Sequence, residues 1–307
     1  MVSPSELLWV VRQLFGSQSK LKLQVTRSPR SRKVVNEKLP LTVLLVSYQA
    51  EKTIAQALRS ILEQETSFRF EILIYDDASS DGTMDLLQSH LASSNALWTL
   101  LTPDRNLYSR GLSPVRVALD YVNADLVARL DGDDYWIEPG KLQRQHDLLV
   151  DNPKSPVVCT SWQIVDERDV VVETPIIPGL GSHVPYSELV RSNFICNSSA
   201  VFRTRAARKV PRSIQNITVR DYAMWGYMIC GSDVLVDRTL STTYRRHESS
   251  AFSSRPLKER VQEEIVCLKW LSENVKSAEI AELWRRRTQV GEEWLGTAVG
   301  LDCCRFG

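Results

Sequence analysis

Hydrophobic residues between positions 41 and 130 form short continuous runs, separated by longer segments with helical periodicity. The runs predict strands at Leu41–Ser47, Phe70–Tyr75, Leu97–Leu101 and Leu126–Leu130. The segments between them predict helices over about 51–64, up to about 91, and around 115–122. Alternation of strand and helix is typical of a mostly parallel sheet with helices on both faces. Ligands of such sheets bind at the carboxyl ends of the strands.

The alternation becomes looser beyond residue 141. Strands are predicted near Val157–Val165 and Ala200–Phe202, and helices near Asp221–Cys230, Lys258–Asn274 and Ala278–Leu295. We therefore divide the chain into an extension over 1–38, an alternating half over 39–150, a mixed half over 151–254 and C-terminal helices over 255–307. The ordered body is expected to begin near Leu39.

Composition excludes several classes of protein. The 307 residues include 38 basic and 37 acidic side chains, so no overall charge favours a nucleic-acid partner. No apolar run approaches the roughly 18 residues that a membrane span needs. The six cysteines form no CxxC pair, which is typical of reduced thiols. We expect a cytoplasmic protein.

The first 36 residues leave two interpretations open. An apolar cluster between Leu7 and Phe15 is a poor secretory signal, because no basic region precedes it. A stretch with six basic residues and no acidic one follows over Ser17–Asn36. This segment could lie on an anionic membrane surface, which would place the protein peripherally on the inner face of the cytoplasmic membrane. Alternatively, the apolar part packs on the body and the basic stretch is a solvated linker.

Two acidic clusters follow predicted strands. One is the segment from Asp76 and Asp77 to Asp81, and the other contains Asp131, Asp133 and Asp134. Carboxylates at the ends of neighbouring parallel strands would share one crevice, and their repulsion favours a divalent cation such as Mg²⁺ or Mn²⁺.

Acidic clusters also occur in turns, in helix caps and in calcium-binding loops. The first cluster could form a turn and a helix cap instead of a metal site. An EF-hand is excluded for the second, because Trp136 occupies the loop position that requires glycine. The chain also lacks the glycine-rich phosphate loops of other nucleotide-binding proteins.

The order of these motifs resembles the family 2 glycosyltransferases of GT-A fold, in their bacterial surface-polysaccharide branch. The likeness extends over roughly residues 40–250. It rests on the segments Thr42–Glu51, Phe70–Thr83, Leu130–Trp136, Lys141–Gln145, Asp221–Trp225 and Tyr244–Ser250. It implies a Rossmann-like sheet in which residues 39–150 bind a nucleotide sugar and residues 151–254 bind an acceptor.

The resemblance also implies roles for individual residues. The nucleotide pocket would be lined by Val46, Ser47, Tyr48, Glu51, Asp77, which bonds the base, and Asp133, which faces the ribose. The divalent ion, Mn²⁺ or Mg²⁺, would be held by Asp133, Asp134 and His247. Asp221 would be the catalytic base. Tyr48 could equally be a core aromatic residue, and His247 a structural one.

Four features depart from the family pattern. Gln49 replaces the usual Asn, Val117 follows Arg116 where many members have Asn, and the loop Asn106–Gly111 is not glycine-rich, which leaves Arg110 and Arg116 as weak diphosphate candidates. Arg220 precedes Asp221 where an acidic or small residue is common. A pair between them would lower the pKa of Asp221 and weaken it as a base.

The implied activity is an inverting, metal-dependent transfer of a sugar from a nucleotide donor, with UDP favoured, to a hydroxyl of a glycan or lipid-linked acceptor. Two alternatives remain. One is a nucleotide-sugar-binding protein of the same fold without transfer activity. The other is a sugar nucleotidyltransferase, although Val46–Glu51 lacks the basic glycine-rich loop that such an enzyme carries.

Overall fold

A computed structural model describes residues 22–33, 37–247 and 255–303, and within them the chain forms a mixed sheet of eleven strands. The strands are β1 Leu23–Arg27, β2 Leu41–Ser47, β3 Phe70–Asp76, β4 Leu97–Pro103, β5 Leu126–Asp131, β6 Tyr135–Trp136, β7 Val157–Val165, β8 Val171–Glu173, β9 His183–Val184, β10 Val201–Arg203 and β11 Val234–Arg245. The α-helices are α1 Pro29–Lys33, α2 Ile54–Leu62, α3 Thr83–Ser93, α4 Pro114–Leu119, α5 Lys141–Asp151, α6 Tyr186–Arg191, α7 Thr204–Ala207, α8 Arg220–Ile229, α9 Leu257–Asn274 and α10 Ala278–Cys303.

The first half of the sheet is parallel, in the order β4-β3-β2-β5. Apolar residues on both faces of β2 are buried, because helices cover the sheet on two sides. Ser47 lies opposite Asp76, and Val46 lies opposite Asp131. The two acidic segments therefore leave the sheet at the same edge, as the sequence predicts.

The second half joins the first through short antiparallel pairings. Strand β10 lies between β5 and β7 and is antiparallel to both, whereas β11 runs parallel to β7. Periodicity did not predict β11, because its register shifts between Asp237 and Thr242 interrupt a regular strand pattern. This strand brings Arg245 and His247 to the acidic edge of the sheet.

The expectation that the ordered body begins near Leu39 is wrong. Strand β1 pairs antiparallel with β4 along its whole length, and α1 follows it. Leu23 and Val25 pack against the main core, so pairing and burial together favour this strand over a solvated linker. The apolar cluster over residues 7–15 lies outside the described residues.

The C-terminal helices α9 and α10 pack against α8. Trp284 of α10 is fully buried, and its ring meets those of Tyr186 and Tyr222 at 5.8 and 5.7 Å between centroids. Gly226 of α8 allows close packing, because a Cβ there would lie 2.9 Å from Leu271 of α9. No helix within residues 22–33, 37–247 and 255–303 is long and apolar enough to cross a membrane.

Candidate active site

Asp76 organises the loop that follows β3. Its carboxylate is fully buried and accepts hydrogen bonds from the Ser47 hydroxyl at 2.9 Å and from the Ser79 amide and hydroxyl at 2.8 and 2.7 Å. Burial raises the pKa of Asp76, while these donors oppose the shift. Ser47, expected in the nucleotide pocket, therefore uses its hydroxyl to fasten this loop.

Asp77 holds a second loop, the one that follows β4. One carboxylate oxygen accepts the Leu107 amide and the other the Tyr108 amide, both at 2.9 Å, and the Tyr75 hydroxyl donates at 3.2 Å. The side chain is 1% exposed. Its role toward a nucleotide base stays a prediction, since these contacts give it a structural role as well.

The segment after β2 turns outward toward the crevice. Tyr48 is 51% exposed, so it is not a core residue. Gln49 has a positive φ of 50°, and its side-chain oxygen accepts the amides of Ser80 and Asp81 at 3.0 and 3.1 Å. Glu51 lies against Gly82, where a Cβ would come within 2.6 Å of its carboxylate. The residues after β2 and β3 thus hold each other in place.

The loop over Asp131–Asp134 begins with a close approach to β2. Gly132 donates its amide to the Val46 carbonyl at 2.7 Å, and a Cβ on Gly132 would lie 3.0 Å from Ser47 Cβ. Val46 therefore meets this loop through its backbone. The two carboxylate oxygens of Asp131 accept hydrogen bonds from Nε and Nη2 of Arg129 at 3.1 and 3.2 Å.

Asp134 points into the protein. Its side chain is 1% exposed, and it accepts hydrogen bonds from the Ser198 hydroxyl and from the Arg245 amide at 2.9 Å. Burial raises its pKa well above the usual range, and the charges of Asp133 and Asp131 act in the same direction. Because Asp134 is buried, it presents little of its carboxylate to a ligand in the crevice.

Asp133 has the opposite environment. Its side chain is 39% exposed, and its carboxylate lies 3.0 Å from His247 Nε2. This hydrogen bond raises the pKa of His247. The Arg245 guanidinium also stabilises this loop, because its Nε donates to the Asp133 carbonyl at 3.1 Å.

Asp133 and His247 are suitable as two protein ligands of a divalent cation whose other ligands are supplied by the substrate. In the part of the chain that the structure describes, no group of three or more His, Cys, Asp or Glu side chains is arranged to hold a metal. Mg²⁺ is usually held by only one or two carboxylates together with substrate phosphates, and Mn²⁺ accepts carboxylate ligands of the same kind. A half-exposed carboxylate beside an imidazole meets that requirement.

Asp221 lies in the first turn of α8 and is half-buried. Its neighbour Arg220 turns away, because its guanidinium donates to the carbonyls of Gly111 and Gln215 at 3.0 and 3.2 Å and lies 5.1 Å from the Tyr108 ring centroid. Burial raises the pKa of Asp131, the Arg129 guanidinium opposes this shift, and the charges of Asp133 and Asp221 add to it. The role of Asp221 as the catalytic base stays a prediction.

Sequence reasoning missed three residues of this region. Arg129 could have been found, because it lies two positions before Asp131 on one face of the same strand. Arg245 belongs to a recognised motif but carried no assigned role. Ser198 gave no signal, since it lies in a short turn 64 positions from its partner Asp134.

A parallel half-sheet with acidic loops at its carboxyl edge, extended by a mixed second half, defines the GT-A class of glycosyltransferases. The family model described as Glycosyl transferase family 2 matches residues 42–210. The chain belongs to glycosyltransferase family 2.

Similar solved structures share the fold. The mannosyltransferase PcManGT of Pyrobaculum calidifontis, solved with GDP-Man and Mn²⁺, superposes with a TM-score of 0.62 at 16% identity over 98% of this chain and 83% of its own. TarS 1–349 of S. aureus, solved with UDP-GlcNAc, gives a TM-score of 0.61 at 18% identity over 80% of this chain and 70% of its own.

Similar sequences are bacterial. The Escherichia coli protein WfgD, named UDP-Glc:alpha-D-GlcNAc-diphosphoundecaprenol beta-1,3-glucosyltransferase, is 29% identical over 70% of this chain and 80% of its own length. An uncharacterized Mycobacterium tuberculosis protein, Rv1520, is 24% identical over 70% of this chain. The chain spans 61% of the length of that mycobacterial relative.

Proposed function

We propose that this protein transfers a sugar, with inversion, from a nucleoside-diphosphate donor to a hydroxyl of a glycan or lipid-linked acceptor in polysaccharide biosynthesis. The observation that carries the proposal is the half-exposed Asp133 beside His247, at the sheet edge where Asp77 and Tyr48 also lie. UDP is the favoured donor nucleotide, which is supported by the UDP-Glc donor in the name of the E. coli relative WfgD.

The donor would lie across the carboxyl ends of β2, β3 and β5. Tyr48 and Glu51 are exposed beside the acidic loops, Val46 and Ser47 form the floor, and Asp77 is within the same edge. Asp133 would contact the ribose and, with His247, hold the divalent ion. We propose Asp133 and His247 as the ligands in preference to Asp134, because Asp133 is partly exposed and Asp134 is buried.

The chemistry needs charge stabilisation on the leaving side and proton removal on the attacking side. A bound Mg²⁺ or Mn²⁺ supplies Lewis-acid stabilisation of the leaving diphosphate. Asp221 accepts the proton of the acceptor hydroxyl as that oxygen attacks the anomeric carbon from the opposite face. Arg220 does not compete for Asp221, because its donors are directed at Gly111 and Gln215. The carboxylate is thus left to act as a base.

Calorimetric titration of the purified protein with UDP, dTDP and GDP, with and without Mn²⁺, tests the donor site. We expect one nucleotide to bind in a Mn²⁺-dependent manner and the Asp133→Asn variant to lose that binding. The matched variant Asp147→Asn, on the exposed face of α5, should bind like the wild type. Absence of nucleotide binding by the wild type would reduce the conclusion to one about fold.

A transfer assay separates an enzyme from a protein that only binds nucleotide sugars. Asp221→Asn should keep nucleotide affinity and lose transfer by roughly a hundredfold or more, as expected for loss of a general base. Full transfer by this variant would contradict the assignment of the base. NMR of the product formed from an α-linked donor sugar should show a β-glycosidic bond, because the transfer inverts the anomeric carbon.

A further inference from the structure

Two exposed aromatic rings flank Asp77. Among the exposed large hydrophobic side chains that the structure describes, three are aromatic, namely Tyr48, Tyr108 and Trp294, with exposed fractions of 51, 43 and 40%. Tyr48 follows β2 and Tyr108 follows β4, and these two strands lie on either side of β3. Trp294 lies on the C-terminal helix α10, outside the sheet.

Backbone contacts attach both tyrosines to Asp77. The Asp77 amide donates to the carbonyl of Ser47, the residue before Tyr48, at 2.9 Å. The Tyr108 amide donates to the Asp77 carboxylate at 2.9 Å. The two rings are therefore presented by one connected structure at the edge where the donor is proposed to bind.

The loop that carries Tyr108 is held in a fixed shape. The amides of Arg110 and Leu112 donate to the Leu107 carbonyl at 3.0 and 3.1 Å, and Gly111 turns the chain with a φ of 82°. Arg220 then fastens the far side of the loop, since it donates to the Gly111 carbonyl at 3.0 Å and its guanidinium lies over the Tyr108 ring. The ring is thus positioned before any ligand arrives, which lowers the cost of binding.

We propose that Tyr108 contacts the base of the donor nucleotide and that Arg220 is the positioning residue that holds its ring. The inference rests on the proposed function. It accounts for two departures from the family pattern together, the loop over 106–111 and the basic residue Arg220 before Asp221. In the folded protein Arg220 contacts this loop at Gly111 and Tyr108. An aromatic face suits any base, so Tyr108 would contribute affinity without selecting the nucleotide.

The test compares UDP with inorganic pyrophosphate, which has the diphosphate but no base. Both are titrated calorimetrically in the presence of Mn²⁺ against the whole protein. Loss of one base–aromatic contact corresponds to roughly a five- to hundredfold weakening. Tyr108→Leu should weaken UDP by that factor and leave pyrophosphate unchanged, while Tyr108→Phe, which keeps the ring, should bind UDP like the wild type.

Arg220→Met should weaken UDP in the same direction by a smaller factor, again without an effect on pyrophosphate. Arg69→Met is the matched control, because Arg69 is an exposed residue that pairs with Glu37 at the opposite edge of the sheet. Unchanged UDP binding by Tyr108→Leu, or equal weakening of UDP and pyrophosphate, would overturn the inference. Failure of the wild type to bind any nucleotide would instead overturn the proposed function, and this inference with it.

Discussion

Asp133 and Asp134 are neighbours in the chain with opposite surroundings. Asp133 keeps a carboxylate in the crevice beside His247, whereas Asp134 is enclosed by Ser198 and the backbone of Arg245. Asp134 thereby joins the loop after β5 to β11 and to the turn before β10. At the scale of residues, one carboxylate is thus available for binding and the next one holds the binding loop in place.

Alanine substitution should separate these two roles. Asp134→Ala leaves the Ser198 hydroxyl and the Arg245 amide without their buried acceptor, and we expect the free energy of unfolding to fall by about 2–4 kcal/mol. Asp133→Ala should change it by less than about 1 kcal/mol, because the side chain is partly exposed. Urea unfolding at pH 7 measures both. Equal stability losses in the two variants would contradict this division of roles.

Helix α5 is attached to the site by two buried polar side chains one turn apart. Lys141 is fully buried, donates to Gln145 at 2.6 Å and lies 4.3 Å from the centre of the Trp136 ring. Gln145 in turn donates to the carbonyls of Val158 and Ser199 at 3.2 and 2.9 Å. At the scale of elements, the Lys141–Gln145 motif therefore connects α5 to β7 and to the turn that contains Ser198.

Burial lowers the pKa of Lys141 from 10.5 to about 7, with Asp237 opposing the shift. In the unfolded chain the lysine stays protonated up to its ordinary pKa, so between these two values unfolding takes up a proton. The contribution of Lys141 to stability consequently rises with pH over this window, and the protonated form destabilises the folded state below pH 7.

Lys141→Met removes this pH dependence. The difference in unfolding free energy, wild type minus variant, should rise by about 3 kcal/mol between pH 7 and pH 9.5. Urea unfolding at both pH values provides the measurement. Lys269→Met, an exposed lysine on α9, should show a constant difference from the wild type. A parallel pH dependence for wild type and Lys141→Met would mean that the buried lysine keeps an ordinary pKa.

Exposed aliphatic side chains are concentrated in the segment over 170–180, which follows β7. Val170, Val171 and Val172 are about half exposed, and Ile176 and Leu180 in the following loop are 91 and 100% exposed. The start of the segment is connected to the site because Asp169 pairs with Arg245 at 2.8 Å, whereas its far end is held by Arg238 in the first half of β11. At the scale of the whole molecule, this apolar surface fits the proposal of a lipid-linked acceptor, since large exposed apolar patches mark interaction sites.

Replacing the two most exposed residues tests this surface. The double variant Ile176→Ser and Leu180→Ser should keep its melting temperature and its nucleotide affinity, and should sediment several-fold less with vesicles of phosphatidylcholine and phosphatidylglycerol. Val150→Ser, which changes an exposed aliphatic residue on α5, is the matched control. If the double variant and the wild type sediment equally, the surface does not contact lipid.

Local pattern was enough for most strands of the alternating half and for β7. The predicted strands at Leu41–Ser47 and Val157–Val165 coincide with β2 and β7, and those at 70–75 and 126–130 end within one residue of β3 and β5. Buried parallel strands appear in the sequence as continuous apolar runs, so their first and last residues can be predicted without knowing the neighbouring strands. Since parallel strands share one carboxyl edge, the convergence of the two acidic clusters also followed from the sequence.

Only the tertiary structure decided the rest. Strand β1 forms by pairing with the edge of β4. The register of β11 is set by its pairing with β7. The direction in which each carboxylate of the second acidic cluster faces depends on Ser198 and Arg245, which are distant in sequence. The chain alone therefore determined its class, its family and its acidic edge, because these depend on local order. Which carboxylate is exposed and which is buried depends on long-range contacts, which no local pattern contains.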